Sequence, residues 1–315
     1  MDRKVTRAFL VALLITLLMV ISGVTAYAEE EKAAAKDEPI PALGTAGPDH
    51  VTGSLALGTF NRYNFRGYEL SSHSAVFQPS LTLNYQGFSV NAWGNIDTNE
   101  YATQSFVPNS PGEASFDEVD LKASYTRSWG VFSLTGGYIY YGVQYAKKTS
   151  EIFMAAAFDV ITKPVLTVYR DIASYPGWYF NLALSHSIPL PMIMKDMTLD
   201  LGASVGAEVG TSGYWQTYES SWTTQFVPIR PFAPWVPVTT LSGDYTGRRY
   251  SAFHDGMLMA GITIPVVKDF TIQPIVMYTF PLSGDAKRLV DGTSYNPNGA
   301  LDQNFIYGVN LTYNF

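Results

Sequence analysis

Two carboxylates and a lysine follow one another on a single predicted strand, and they are the first residues whose spacing suggests chemistry. Glu118 and Asp120 stand two residues apart in "EVDLKASYT", so a strand would point both side chains to the same side. That separation is close to the one that a glycosidase uses between its two carboxylates. Lys122 continues the same face, and a neighbouring cation favours a charged lining over an acid–base pair.

The four histidines give no better basis for an enzyme. A lipase or protease needs a Ser/His/acid set that converges on one face, whereas "SHS" at Ser185–Ser187 alternates between opposite faces of a strand. His254 and Asp255 are expected to form a solvated pair where a loop meets a strand. The histidine spacing matches no metal site, and the chain has no cysteine. We therefore expect no enzyme, no metal and no cofactor, and we keep a hydrolase that depends on His254 or His73 only as a third hypothesis.

The elements that position these residues are preceded by an export signal. Three basic residues come before an apolar stretch from Phe9 to Ile21, and Ala26-Tyr27-Ala28 is a small-residue cleavage signature. This pattern predicts a signal peptide over residues 1–28, since the stretch is shorter than the roughly 20 residues of a spanning helix. Cleavage removes three basic residues and Asp2, which takes the net charge from −7 to −9. An exported chain this acidic is not expected to bind nucleic acid.

The remainder divides into a lead-in and one long domain. Residues 29–50 are charged and rich in Ala and Pro, which predicts a flexible periplasmic segment. In residues 51–315, apolar and polar residues alternate with the period of two that is typical of β-strands. The alternation predicts about twelve strands, at residues 53–66, 75–86, 88–97, 117–127, 131–141, 150–158, 165–172, 178–188, 197–209, 251–264, 270–280 and 303–315. Within 150–172 the register fits either face.

The connections between these strands alternate in length. Gln86-Gly87 and Trp129-Gly130 are tight turns, whereas the connections at 98–115 and 210–250 are long. Short turns at one end and long loops at the other are typical of an outer-membrane barrel. A soluble β-sandwich would show the same alternation, but its strands are usually five or six residues long. Aromatic residues also collect near the strand ends, as interfacial girdles require. We therefore predict a transmembrane antiparallel up-and-down β-barrel in the outer membrane of a Gram-negative envelope, surrounded by its lipid.

The last strand resembles the C-terminal signature of bacterial outer-membrane proteins. It ends on Phe315, with large apolar residues at every second position before it. In that group the last strand is recognised by the barrel-assembly machinery, so the resemblance implies the same partner here. The residues that carry the resemblance are Tyr307, Val309, Leu311, Tyr313 and Phe315.

A second resemblance covers the opening hairpins. Phe65-Arg66-Gly67, which ends the first predicted strand, and Trp93-Gly94 match elements of the TorF-like putative porin family. The segment "SAFHDGMLMAGITIPVVKDFTIQPIVMYTFPL" also resembles the late hairpin of that family. The long 210–250 loop departs from it. The resemblance implies a porin-like barrel and leaves the solute undetermined.

The polar faces of the strands are expected to line the lumen. In one interpretation the charges face a narrow, water-filled passage and set its selectivity; in the other they neutralise one another and fill the lumen. The predicted lining residues are Arg62, Asn64, Arg66, Asn91, Asn95, Asp97, Glu118, Asp120, Lys122, Asp200 and Glu208.

The 210–250 loop is unusual for its length and its aromatic residues, which are too numerous for a disordered spacer. It is expected to form either a projecting hairpin, bent at Pro228–Pro234, or an aromatic lid or binding surface. The aromatic residues we single out are Trp215, Trp222, Phe232 and Trp235.

Two principal hypotheses follow. The first is a porin-like channel through which small polar solutes diffuse. The alternative is a closed barrel that anchors external loops, chiefly 210–250, for a ligand, a surface or a partner protein. An outer-membrane hydrolase is the third.

Overall fold

The computed structural model describes residues 49–103, 110–144, 146–228, 235–290, 294–295, 301 and 303–315, with the side chains of 218–228, 235–245, 288–290 and 294–295 not described. The predicted signal peptide and all but the last two residues of the lead-in lie outside these ranges, so both stay predictions. Within the ranges, no helix is both long enough and apolar enough to cross a membrane.

Most of the described chain is β-strand. The helical elements there are a 3₁₀ turn at Gly213–Trp215 and the helix α1 (Gly284–Val290). The strands, in chain order, are β1 (Thr52–Phe60), β2 (Tyr63–Phe65), β3 (Tyr68–Ser71), β4 (Val76–Tyr85), β5 (Phe88–Asp97), β6 (Ser115–Trp129), β7 (Phe132–Val143), β8 (Thr149–Phe158), β9 (Val165–Asp171), β10 (Gly177–Pro189), β11 (Thr198–Gly210), β12 (Gln216–Pro228), β13 (Trp235–Arg249), β14 (Ser251–Val267), β15 (Phe270–Pro281), β16 (Ser294–Tyr295) and β17 (Asn304–Asn314).

Twelve of these strands form one closed antiparallel barrel. Its order around the circumference is β1-β4-β5-β6-β7-β8-β9-β10-β11-β14-β15-β17, and β17 pairs back onto β1. At the seam Gly53 and Phe315 exchange two backbone hydrogen bonds, of 2.7 and 2.9 Å. Closure leaves the barrel without an unpaired edge, which a sheet in lipid requires. The prediction of a barrel of about twelve strands is therefore confirmed.

The outer surface of the barrel is apolar. On β10, Leu182 and Leu184 are each 42% exposed, while Asn181 between Phe180 and Leu182 is 1% exposed. The same alternation runs along β11, where exposed Leu201 and Val205 flank buried Ser204. A soluble barrel would turn its apolar side chains inward, because exposed apolar surface costs free energy in water. The barrel is therefore a transmembrane one, with lipid as the solvent of its outer face.

The connections differ between the two ends of the barrel. At the turn end, which also holds the start of β1 and the end of β17, neighbouring strands are joined by tight turns such as Gln86-Gly87 and Lys268-Asp269. Gln86 and Gly87 have φ values of 48° and 86°, as the hairpin turn with two left-handed residues requires. At the loop end four of the six connections are long, and the one between β11 and β14 contains β12 and β13. These two strands and β16 form a separate three-stranded sheet.

The first strand differs from its prediction. We expected one strand over residues 53–66, but β1 ends at Phe60, and the chain then folds into the short hairpin β2–β3. Phe60 pairs with Val76, so the hairpin is an insertion between two adjacent barrel strands. Arg62, Asn64 and Arg66 consequently belong to this insertion and not to the barrel wall, which corrects their predicted placement.

Candidate functional site

The hairpin β2–β3 turns at Arg66-Gly67. Both residues have positive φ, 48° and 81°, and Phe65 pairs directly with Tyr68 across the turn. The Asn64 side-chain amide donates a hydrogen bond to the carbonyl oxygen of Gly67 at 3.2 Å. Two left-handed residues make a tight two-residue turn, and arginine adopts this conformation at a cost that glycine does not bear. The turn therefore presents the Arg66 side chain at the tip of the hairpin.

Arg66 reaches the far wall of the barrel and pairs with Glu151 on β8. The two terminal nitrogens of its guanidinium donate to the two carboxylate oxygens at 2.8 and 2.7 Å. The side chains of Arg66 and Glu151 are only 9% and 7% exposed. Tyr141 on β7 donates its hydroxyl to the same carboxylate at 2.8 Å. A two-pronged pair of this kind is the strongest geometry that arginine forms with a carboxylate.

Aromatic rings surround the guanidinium. Its central carbon lies 4.6 Å from the centroid of the Tyr169 ring and 4.3 Å from that of Tyr179. The ring of Phe65, from the hairpin itself, lies 4.8 Å away. Cation–π attraction is strongest when the cation is removed from water, as it is here. The charge of Arg66 is thus held by one carboxylate and three ring faces.

Other hairpin residues contact different parts of the wall. Tyr63 packs on Trp93 of β5, with ring centroids 5.5 Å apart. Tyr68 packs on His254 of β14 at 5.0 Å. Since β5 and β14 lie nearly opposite one another in the circumference, the hairpin spans the lumen. We call residues Tyr63–Ser71 the plug hairpin.

Beside the plug hairpin, an apolar cluster fills the remaining width of the lumen. Inward-facing Phe60, Val76, Met257, Ile275, Met277 and Ile306 pack with Tyr63, and Phe65 packs against both this cluster and the aromatic one around Tyr141. Ile306 is the residue that breaks the polar face of the last strand, and burial inside the lumen explains why it is apolar. The lumen at this level is packed with side chains.

The base of the plug hairpin is tied to the loop end of the barrel. Arg62 donates to Glu69 across the hairpin at 2.7 Å and to Asn304 of β17. Asp97, the last residue of β5, accepts hydrogen bonds from the hydroxyls of Ser71 and Ser74. These contacts fix both ends of the insertion, so its tip has a defined position.

The predicted lining residues on the barrel strands occupy inward positions, and their role in selectivity stays a prediction. Asn91 donates to Ser80 and Thr82 on β4, and Lys122 lies with its ammonium 4.9 Å from the Phe153 ring centroid. Asn95, Asp97, Glu118, Asp120, Asp200 and Glu208 complete this set.

Acidic residues outnumber basic residues on the inner wall of the barrel. Inward positions of the described barrel strands carry nine acids and a single base, Lys122. Glu208 lies within electrostatic range of Glu151, Asp171 and Asp255 as well as Arg66. The nine acids are Asp97, Asp117, Glu118, Asp120, Glu151, Asp171, Asp200, Glu208 and Asp255.

The inward positions of several of these acids were not predicted from the sequence, because the backbone departs from regular alternation near them. A β-bulge at Asn95/Ile96 breaks the alternation, so Asp117 and Glu118 are both buried although they are consecutive. A second bulge opposite Val205 and Ala207 buries His254 and Asp255 together. Glu151 lies in the segment whose register was ambiguous. The sequence gives no clear signal for its partner Arg66, because Arg-Gly is not one of the dipeptides that typically mark a two-residue hairpin turn.

Asp200 lies toward the turn end, and both of its carboxylate oxygens accept hydrogen bonds. It accepts hydrogen bonds from Ser187 at 2.7 Å, Thr263 at 2.6 Å and Gln273 at 2.8 Å. Other inward residues in the turn-end half are small or polar, and Ser124, Thr126, Ala155 and Ala157 are all half-buried. The turn-end half of the lumen is therefore less filled than the half that holds the plug hairpin.

An aromatic cluster covers the loop end above the plug hairpin. Trp215 is 4% exposed and packs with Tyr68, Tyr250 and Leu301. Its indole nitrogen donates to the carbonyl oxygen of Tyr175. Burial raises the pKa of the Tyr175 hydroxyl, whose oxygen accepts the Lys147 backbone N–H at 2.9 Å.

The other predicted loop aromatics are only partly described. Trp222 lies in β12 and Trp235 begins β13, but their side chains are not described, and Phe232 lies outside the described residues. Over 216–228 and 235–249 the described chain forms two long antiparallel strands that pair with each other, as the hairpin alternative predicted.

The described histidines lie apart from one another, and the predicted environment of His254 is wrong. His254 is fully buried and hydrogen-bonded to the Tyr250 hydroxyl at 2.8 Å, so it is not in a solvated loop pair. His73 is exposed and stacks on Tyr101 at the loop end, whereas His186 is exposed on β10. Among the described residues, no group of three or more potential ligands is placed to hold a metal ion.

Known proteins resemble this chain in fold and not in sequence. No protein-family model matches the chain, and no curated protein matches its sequence. The structure is similar to the NanC porin, with a TM-score of 0.47 and 8% identity over 82% of this chain and 98% of that one. It is also similar to an outer membrane channel from Pseudomonas putida F1, with a TM-score of 0.43 and 7% identity over 89% of this chain and 99% of that one. The resemblance to TorF-like putative porins stays a prediction.

Proposed function

We propose that this protein is a porin-like channel of the bacterial outer membrane that admits small polar solutes, favours cations and is closed at rest by the plug hairpin. The loop end would face outward and the turn end the periplasm, as in other barrels with short turns and long loops. Passage would be passive, with width and charge deciding which solutes cross and no bond being broken.

The charge of the inner wall is the observation that carries this proposal. The inner wall carries nine acidic residues against one lysine, and rings of acidic side chains favour cations in channels. Arg66 is the strongest opposing charge, and it is supplied by the insertion rather than by the wall. Removing residues 62–74, which carry two arginines and one glutamate, would both widen the lumen and make it more negative.

The size of the barrel is consistent with a narrow channel. Twelve strands lie between small barrels filled by their own side chains and sixteen-stranded porins with an open water channel. The half-buried small residues of the turn-end half leave room that the plug hairpin and its aromatic neighbours occupy in the loop-end half.

Replacing the plug hairpin tests the proposal directly. Phe60 and Val76 are paired neighbours, so a short Gly/Ser turn between Asn61 and Ala75 can join β1 to β4 without distorting the barrel. In planar bilayers the wild type should be closed or show rare, small openings, and the shortened protein should conduct steadily and prefer K⁺ to Cl⁻. A folded shortened protein that stays silent, or that prefers Cl⁻, would refute the channel.

A closed barrel that anchors external elements is the second candidate. The packed lumen and the buried aromatic cluster at the loop end favour it. The sheet of β12, β13 and β16 would then be the working surface. Silence of the shortened barrel, together with retention of a bound partner by the wild type, would support this function.

We also propose that the barrel-assembly machinery recognises β17. Tyr307, Val309, Tyr313 and Phe315 are exposed on the outer face and Leu311 is half-buried there, so this strand presents a continuous apolar row. The same strand provides one side of the seam with β1.

A further inference from the structure

The position of Arg66 suggests that the wall contains a cation site of its own. The Glu151 carboxylate and the rings of Tyr169 and Tyr179, which contact the guanidinium, come from barrel strands and not from the plug hairpin. We propose that these wall residues form a binding site for a small guanidinium or alkylammonium solute, which Arg66 occupies while the channel is closed. The inference rests on the proposed channel function and names its solute class. We call Tyr141, Glu151, Tyr169 and Tyr179 the guanidinium pocket.

The pocket is held in place without the plug hairpin. The Tyr141 hydroxyl donates to Glu151, and the Tyr179 hydroxyl donates to Asp255 at 3.0 Å. Tyr169 stands between Phe153 and Tyr179, with ring centroids 5.8 and 6.0 Å away. These contacts join wall strands to one another, so withdrawal of Arg66 would leave the carboxylate and both ring faces where they are. A site that needs no rearrangement binds with a smaller entropic cost.

The groups in the pocket select one ligand chemistry. The carboxylate of Glu151 presents two oxygens to two parallel N–H groups, which a planar guanidinium supplies and a spherical ion does not. Two tyrosine faces at 4.6 and 4.3 Å favour a cation over a neutral molecule of the same shape. Glu208 and Asp171 place two further carboxyl groups nearby. Anions and neutral amides should therefore be poor ligands, and alkylammonium ions should bind more weakly than guanidinium ions.

Occupancy of the pocket and closure of the lumen are mutually exclusive. Arg66 and a solute guanidinium need the same two carboxylate oxygens, so each excludes the other. A ligand that binds only when the plug hairpin is displaced shifts the population toward the open channel. The solute would thus favour its own passage.

Binding to the Arg66→Ala variant (R66A) tests the site. The substitution removes the guanidinium and the two methylene groups next to it, and n-propylguanidinium, which reproduces the whole arginine side chain, is the soluble probe. We expect isothermal titration calorimetry on the folded full chain in detergent to show binding to R66A at least tenfold tighter than to the wild type. n-Propylurea, which has the same shape without the charge, should not bind. Equal affinity of R66A for the cation and the urea would overturn the proposal.

The double variant R66A/Glu151→Gln identifies where the probe binds. Loss of the carboxylate charge should weaken binding of n-propylguanidinium by tenfold or more. Unchanged affinity would place the probe elsewhere and overturn the proposal. If R66A does not fold, Arg66→Gln keeps a polar side chain on the hairpin tip, and the same comparison with and without Glu151→Gln decides the question.

These outcomes are separable from the fate of the channel. Binding that requires Glu151 in a barrel that never conducts supports the site and refutes the channel. Conduction by the shortened barrel, without Glu151-dependent binding in R66A, supports the channel and refutes the site.

Discussion

Arg66 and Glu151 are separated by 85 residues in the chain, yet they form the most complete ion pair in the described structure. One comes from the tip of the plug hairpin and the other from β8 on the opposite wall. Their contact, with the rings around it, determines that the hairpin tip lies inside the lumen.

Arg66→Ala should lower the free energy of unfolding by about 3 kcal/mol, because it leaves the Glu151 carboxylate buried without its partner. Urea unfolding in lipid vesicles, followed by tryptophan fluorescence, measures this change. Arg248→Ala is the matched control, since Arg248 is exposed on β13 and its loss should cost under about 0.5 kcal/mol. The double variant Arg66→Ala/Glu151→Ala should be more stable than Arg66→Ala alone. Equal effects of Arg66→Ala and Arg248→Ala would contradict the buried pair.

Gly67→Ala should unseat the plug hairpin. Gly67 has φ of 81°, and an added Cβ would lie 2.6 Å from a methyl carbon of Leu301 and 2.9 Å from the Cβ of Asp255. Gly247→Ala is a matched control, because Gly247 has φ of 78° but open space around its Cβ position. Both should lose about 1 kcal/mol from backbone strain, and only Gly67→Ala should raise the open probability in bilayer recordings. Similar conductance of the two variants would show that the contact at Gly67 does not hold the hairpin.

An arginine on the outer face should destabilise the barrel according to its depth. Leu182, in the middle of β10, is 42% exposed on the outer surface, so Leu182→Arg should cost about 2–4 kcal/mol in a bilayer. Ser251→Arg, at the exposed loop end of β14, should cost about 0–1 kcal/mol. Reversible unfolding in vesicles gives both values. A smaller cost at Leu182 than at Ser251 would be incompatible with the assigned lipid face.

Selectivity should depend on the acids of β6. In the barrel without the plug hairpin, Glu118→Gln/Asp120→Asn should lower the K⁺/Cl⁻ permeability ratio several-fold, because both side chains face the lumen. Reversal potentials under a KCl gradient measure the ratio. Asp269→Asn, in the exposed turn between β14 and β15, removes a charge outside the lumen and should leave the ratio unchanged. If the permeability ratio fell equally in both variants, selectivity would depend on the overall charge of the protein and not on the acids of β6.

Phe315→Ala should reduce the amount of barrel assembled in the outer membrane of cells, because it removes the last aromatic of the apolar row on β17. The backbone hydrogen bonds between Gly53 and Phe315 do not need the ring, so refolding of purified protein should be less affected. Asn314→Ser, on the inner face of the same strand, is the control. Heat-modifiable mobility on gels quantifies folded protein in both assays. Equal assembly of the two variants in cells would argue against recognition of the row.

Most of the barrel could be predicted because a strand in lipid has one apolar face and one polar face. Period two located the twelve strands and put Asp120, Asp200 and Glu208 on inward positions. The same rule failed where the backbone departs from it. Two β-bulges changed the faces of Asp117 and of the His254-Asp255 pair, and a bulge leaves no distinct mark in the alternation.

The plug hairpin was missed because its residues continue the alternation of β1. Tyr63 and Phe65 resemble outward residues and Arg62 and Arg66 resemble inward ones, so a longer strand accounts for them equally well. The hairpin differs from a longer strand by its left-handed turn at Arg66-Gly67, and arginine is not a residue that usually marks such a turn. The partner of Arg66 could not be found from the sequence, since Glu151 is brought to it only by closure of the barrel.

The seam between β1 and β17 has a consequence for how the protein folds. Every other barrel pair joins strands that follow one another among the twelve, and most of these are linked by short connections. The seam is the exception, because it brings together the two ends of the domain. Contacts between distant parts of a chain carry the largest loop-closure entropy and form slowly. Registration of Gly53 against Phe315 is therefore expected to be among the last steps of folding, and the wall that receives Arg66 is complete only after it.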